Sequence, residues 1–329
     1  LSYALRRFLF MVVLLVILSM ISFIVIQLPP GDFLTSYIVE MQQSGQPADE
    51  AEVAALRARY GLDKPITVRY FMWVWGMLNG DLGRSFEWNR PVGELIATRL
   101  PLTIGISLTT TLVAYIIAIP IGIYSATHQY SVGDYAFTVM GFTGLAIPNF
   151  LLALITMYIF FKYFGANIGG LFSPEYQRAG WSFAKFIDML KHLPPIIVIV
   201  GMSSTAWLIR VMRGTLLDEL RKPYVIAARA KGVAETKLLL KYPVRVAINP
   251  IISTIGWTLP QIVSGATVTA IVLDLPTTGP MYLQALKSQD MYLAGSFTMF
   301  LTSLTIIGTF ISDILLASLD PRIRFEEGA

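Results

Sequence analysis

The 329-residue chain has no cysteine, so it can build neither a disulfide framework nor a thiolate metal site. Histidine is nearly as scarce: His128 and His192 lie far apart in sequence, which argues against a histidine-based metal or catalytic centre. Charge is the third shortage. Asp, Glu, Lys and Arg make up 14% of the residues, against about 25% in soluble domains. The strings HExxH and GxSxG are absent, which removes two familiar hydrolase constellations. No GxxxxGK followed by Ser or Thr occurs, so the chain has no Walker A loop with which to hold ATP. The net charge of +4 follows from topology and gives no reason to expect nucleic acid.

What remains is apolar. Hydrophobic residues are 55% of the chain and its mean hydropathy is +0.62, the composition of an integral membrane protein. A hydrocarbon core of ~30 Å needs about 20 apolar residues in helix. Six stretches qualify: 8–28, 102–124 with Pro120, 135–161 with Pro148, 194–212, 249–273 and 293–317. The first follows Arg6 and Arg7 and is too long for a signal-peptide core, so it is read as a retained helix. The fold expected is therefore all-α, with six transmembrane helices.

Lys and Arg set the orientation. The loop between spans four and five carries Arg213, Arg221, Lys222, Arg229, Lys231, Lys237, Lys241 and Arg245 against Asp218, Glu219 and Glu235. With Arg6, Arg7, Arg322 and Arg324 on the same side, both termini are expected in the cytoplasm. Loops 29–101 and 164–192 then lie outside; a loop longer than ~60 residues translocates largely regardless of charge. The domain scheme expected is a first helix within 1–28, an external loop 29–101 and a five-helix core 102–317 that includes the cytoplasmic segment 213–248. A cytoplasmic tail, 318–329, follows. Within the first loop, 49–60 reads as an amphipathic helix stopped by Gly61. A second helix, 65–78, carries Tyr70, Phe71, Trp73 and Trp75 and ends at Asn79-Gly80-Asp81.

The most informative segment is YVIAARAKG at 224–232. Lys222-Pro223 suits a helix start, since proline is tolerated in the first turn. Ala227, Ala228 and Ala230 leave a nearly flat helix face, and Gly232 can close the helix in the left-handed conformation. Arg229 and Lys231 hold the segment at an anionic cytoplasmic surface or offer charge to a partner. A second helix is expected from about Glu235 to Leu240, with Leu238, Leu239 and Leu240 packing on the chain's own core. An amphipathic surface helix with no partner accounts for the nine residues equally well.

GLDKPITVRYFMWVWGMLNGDLGRSF at 61–86, Pro30-Gly31-Asp32, AARAKG at 227–232 and LLASLDPRIRF at 315–325 together resemble the permeases of binding-protein-dependent ABC importers, specifically the oligopeptide/dipeptide subfamily. The likeness runs from end to end of the chain. It departs from the wider superfamily at Ile226, where a glutamate is usual, and in the length of 164–192. The resemblance implies a type I ABC importer transmembrane fold. It also implies a docking loop for the ATPase at Tyr224, Ala227, Ala228, Arg229, Ala230, Lys231, Gly232 and Val233. The partners it implies are a second homologous permease, two ATP-binding subunits, an extracytoplasmic solute-binding protein and the bilayer of a bacterial inner membrane. No cofactor is expected on this chain; ATP and Mg2+ belong to the ATPases.

Intramembrane charge is sparse. Lys162 and Arg210 sit near span ends and can snorkel. Asp313 either faces the bundle, pairs with an arginine of the cytoplasmic loop, or is a partly hydrated end position, and no buried acid or histidine relay is visible for proton coupling. A secondary transporter would need such a carboxylate or inverted repeats. Spans three and five instead carry small and weakly polar residues, among them Asn149, Gln261, Ser264, Gly265 and Thr267. Singly each suits helix packing. As a set, on helices broken by Pro148 and Pro260, they suit a hydrophilic pathway. Di- or oligopeptides, oligosaccharides and other small solutes all remain open as cargo.

Overall fold

The computed structural model describes residues 2–27, 63–253 and 266–319, with Ile38, Ala54 and Ile262 as single positions. The expected helix at 49–60, the Pro30-Gly31-Asp32 motif, Pro260, and Gln261, Ser264 and Gly265 fall outside the described residues, as does the tail from 320. The side chain of Asp313 does too. In chain order the helices are α1 Ser2–Gln27, α2 Ile66–Leu78, α3 Val92–Thr127, α4 Val132–Ala146, α5 Asn149–Phe164, α6 Pro174–Gln177 and α7 Phe183–Leu220. Then come α8 Pro223–Ala230, α9 Glu235–Lys241, α10 Pro243–Ala247, α11 Asn249–Ser253, α12 Thr267–Val272, α13 Thr278–Lys287 and α14 Met291–Leu319. Among the described residues there is no strand, only an isolated bridge between Arg84 and Pro91.

Among the described residues three helices are long and apolar enough to cross a membrane: α3, α7 and α14 over Met291–Phe310. Two of them start earlier than their hydropathy suggests, α3 at Val92 and α7 at Phe183. In α7 the Ser182 hydroxyl caps the helix by accepting from the Lys185 N–H, 3.2 Å away, so the helix forms well before Pro194 and Pro195 and runs through both. The stretch expected as span three differs more. It is two helices, α4 and α5, meeting at 103°. Ile147 is extended because it precedes Pro148, and the proline opens α5. The apolar part of α1, Phe8–Ile24, is shorter, and the expected fifth span is described only at its ends, as α11 and α12.

The chain divides into two compact units, residues 1–102 with 277–329, and residues 103–276. In the first, α1 packs along α14, and Phe23 meets Tyr70 and Trp73 of α2 at ring separations of 5.4 and 5.6 Å. The buried Asp290 carboxylate gathers the loop after α2: it accepts from the Ser85 hydroxyl at 2.5 Å and from the Glu87 N–H at 3.2 Å. It also caps α14 by accepting from the Leu293 N–H. Gly83, at φ +80°, lies against the Tyr292 ring so closely that a Cβ there would be 2.4 Å from it. In the second unit α4 and α5 pack on α7, α12 on α5, and α10 and α11 on α7.

Candidate functional site

The segment after α7 forms as a run of short helices fixed to a buried core. Lys222 adopts an extended N-cap conformation and Pro223 takes the first helical position of α8, where its missing N–H costs no hydrogen bond. The helix closes as the Ala-Ala-Arg-Ala-Lys-Gly spacing requires. Gly232 has φ +75°; its N–H bonds the Arg229 carbonyl at 3.0 Å and the Val233 N–H bonds that of Ala228 at 3.3 Å. This paired closure needs a residue that tolerates the left-handed region.

One face of α8 points away from the chain. Ile226, Ala227 and Ala230 are exposed, while Val225 is fully buried and Ala228 and Val233 are half-buried. Gly232 has open space around it: a Cβ added there would find no atom within 4 Å. The outward face is thus apolar, with the large Ile226 side chain beside the small Ala227 and Ala230.

Charges on the segment are arranged differently from the simplest expectation. Arg229 is not free: its Nε donates to Glu235 Oε1 at 2.6 Å and its Nη2 to Oε2 at 3.2 Å, stapling α8 to α9. The pair holds the Glu235 carboxyl below and the Arg229 guanidinium above their ordinary ranges. Tyr224 donates its hydroxyl to Glu219 Oε2, and burial together with that carboxylate pushes its phenol up to about 12. Lys231 remains exposed.

The inner side is anchored. Leu238 is fully buried and Leu239 half-buried; Leu240, contrary to expectation, is 56% exposed, because three consecutive helical positions cannot share one face. Val244, Ala247 and Ile251 pack with Leu208, Met212 and Leu216 of α7 and with Ala114, Ala118 and Ala126 of α3. Thr215 Oγ1 donates to the Ala247 carbonyl at 3.0 Å.

An ion pair with a buried carboxylate underlies this core. Arg213 of α7 forks onto Asp134 at the start of α4, Nε to Oδ1 at 2.8 Å and Nη2 to Oδ2 at 2.9 Å, with only 3% of the Asp134 side chain exposed. The Tyr130 N–H also donates to Oδ2. Local sequence does not reveal the pair. Ser131-x-x-Asp134 signals a helix start, and Ser131 does cap α4, but nothing nearby pairs Asp134 with a residue 79 positions on. Buried acids are present at Asp134, Asp188 and Asp290, none of which the sequence singled out. Each is held by fixed donors; Asp188 accepts from the Ser173 N–H at 2.7 Å and hydroxyl at 2.6 Å.

Of the expected pathway residues, Asn149 and Thr267 are described. Both ends of the Asn149 amide engage α7: Nδ2 donates to the Val200 carbonyl at 3.1 Å, and Oδ1 accepts from the Ser203 hydroxyl at 2.6 Å. Thr267 opens α12, half-buried.

Helices long and apolar enough to cross a membrane define an integral membrane component. Residues 118–325 match the family described as binding-protein-dependent transport system inner membrane component, and residues 1–109 match the N-terminal region of such membrane components. The chain belongs to this family, and as a permease component of a binding-protein-dependent ABC system it is not an enzyme. It is 32% identical over 325 residues to the oligopeptide transport system permease protein AppB of Bacillus subtilis (strain 168), covering 98% of this chain and 99% of that one. To the oligopeptide transport system permease protein OppB of Haemophilus influenzae it is 29% identical over 327 residues, 99% and 100% of the two chains. To the dipeptide transport system permease protein DppB of Alkalihalophilus pseudofirmus it is 27% identical over 339 residues, again 99% and 100%.

Proposed function

We propose that this chain is one transmembrane subunit of an ATP-driven importer of di- or oligopeptides, forming half of the translocation pathway beside a second, homologous permease. Two ATPase subunits dock from the cytoplasm and a solute-binding protein delivers cargo from outside. The chain crosses the inner membrane six times with both termini cytoplasmic. The observation that carries this reading is the face of α8: exposed and apolar, with Ala227 and Ala230 beside Ile226, yet backed by a buried core. Exposed alanines beside Gly232 let a partner approach closely, and the anchored α9–α11 run gives that partner something stiff to move. The peptide cargo rests on the names of the full-length relatives.

In this reading the ATPases supply and hydrolyse ATP with Mg2+, and this chain does mechanical work only. Loops 29–101 and 164–192 face the binding protein, and small polar groups of α5 and of the 261–267 stretch line the route for cargo. The test is reconstitution of the chain with its second permease and ATPases in proteoliposomes. ATP-dependent uptake of a labelled tripeptide, requiring the binding protein, is the expected result. Uptake of an oligosaccharide with none of the tripeptide refutes the cargo; failure of the ATPase to associate refutes the docking face.

A further inference from the structure

The ion pair and the amide contacts described above lie at opposite ends of one helix pair, and their arrangement has a mechanical consequence. Helix α4 runs antiparallel to α7. At its first turn Asp134 is gripped by Arg213; at its last, the Ser203 hydroxyl shares its one proton between the Gly144 carbonyl at 3.0 Å and the Asn149 Oδ1 just past the bend at 2.6 Å. The two locks are about ten residues apart, roughly 15 Å along each helix. Between and beside them Gly144 sits against α7, where a Cβ would meet Met202 at 3.1 Å and Ala206 at 3.3 Å. Apolar helix packing alone tolerates some sliding and rotation. A bidentate Arg–carboxylate fork fixes direction as well as distance, and a hydroxyl bonded to both sides of the break fixes where the 103° turn begins.

Beyond Arg213 α7 continues to Leu220, and after Arg221 and Lys222 the chain enters α8, while Met212 and Leu216 pack against Val244, Ala247 and Ile251. We propose that α4 and α7 form one rigid lever, locked by Asp134–Arg213 and by Ser203 with Asn149 and Gly144, that carries displacement of the α8–α11 segment to the helix bend at Pro148. Asp134 and Arg213 are positioning residues in this lever; neither touches solute or nucleotide. The inference rests on α8 being the face on which the ATPase acts. It adds that the bend between α4 and α5 is the part of the pathway moved directly.

The chain's lack of cysteine permits a clean test. Spin labels at Ala146, exposed at the end of α4, and Asp218, exposed near the end of α7, report the length of the lever by pulsed electron resonance and leave the docking face unlabelled. In the wild-type background the distance is expected to be narrow and the same in nucleotide-free and ATP-trapped complexes. Arg213→Gln should broaden it, and with the ATPase still co-purifying should cut peptide uptake by about tenfold or more. Arg213→Lys should recover uptake only in part, because an ammonium lacks the fork. Asp134→Arg with Arg213→Asp should restore both width and uptake, an outcome that general destabilisation does not give. A wild-type distance that shifts on ATP binding, or an Arg213→Gln variant that keeps a narrow distance and full uptake, overturns the lever. The width comparison can be made without the ATPase, so it tests the lock even if the docking reading fails.

Discussion

Placing a large cation on the outward face of α8 separates folding from docking. Ala227→Arg puts arginine on an exposed position of a short helix. Within the chain this costs a few tenths of a kcal/mol, since arginine is nearly as good a helix former as alanine. In the assembled complex the same side chain would wedge two surfaces apart or be buried without a partner, which costs about 3–5 kcal/mol. That is about two to nearly four orders of magnitude in affinity. Gly232→Ala is the companion. Its Cβ meets open space, so the penalty is the left-handed backbone alone, about 1–2 kcal/mol. Ala228, being half-buried, is the wrong position for this comparison. The assay is co-purification of the ATPase, with thermal unfolding of the permease in detergent as a control. Ala227→Arg should unfold at the wild-type temperature, lose the ATPase and abolish uptake, whereas Gly232→Ala should weaken association by a smaller factor. Normal ATPase recovery and import by Ala227→Arg would refute the assignment of this face as the contact.

Leu238→Ala should destabilise the permease by about 2–5 kcal/mol, because the leucine is fully buried on α9; the measurement is the midpoint of thermal or urea unfolding, and an unchanged midpoint would remove the anchor. The Tyr224 phenol should titrate near pH 12 by difference absorbance against Tyr224→Phe, and its folded pKa exceeds the unfolded value of 10.0. Its contribution to stability is thus fully present below pH 10.0 and lost as pH rises through about 12; a titration at 10.0 would show that neither burial nor Glu219 acts on it. Gly83→Ala should lower the unfolding midpoint sharply, since both the φ of +80° and the Tyr292 ring oppose a side chain; a neutral result would mean that the ring moves aside freely. Single cysteines at Gln177 and Ala234, both exposed, should label with an impermeant thiol reagent in intact cells at Gln177 and not at Ala234. The reverse pattern would invert the proposed topology.

Helix identity was legible wherever the signal is local. Pro65 and Asn79 bracket α2, and Lys222-Pro223 and Gly232 bracket α8, because caps and closures are set by residues within a turn of one another. Helix extent was less legible. Hydropathy marks where a chain is apolar, and α3 and α7 each extend beyond that into amphipathic sequence, in α7 held by the Ser182 cap. The 103° turn at Pro148 was visible as a break but not as an angle, since a proline permits many. The anchoring contacts were invisible. Leu238, Leu239 and Leu240 look alike in sequence, and only the helix's phase against its neighbours buries the first and exposes the last.

The sequence by itself determined that this is a helical membrane protein without disulfides, a thiolate metal site or a nucleotide loop, and where its small-residue helix starts and stops. These are matters of transfer energy and local backbone preference, and both are properties of short stretches of chain. The tertiary structure alone decided which charges are buried and with whom. Asp134 reads as an ordinary first-turn carboxylate until Arg213, 79 residues later, arrives beside it. Arg229 reads as a free cation until Glu235 takes it. Pairings of that kind depend on how separate helices are brought together, which no reading of single helices encodes.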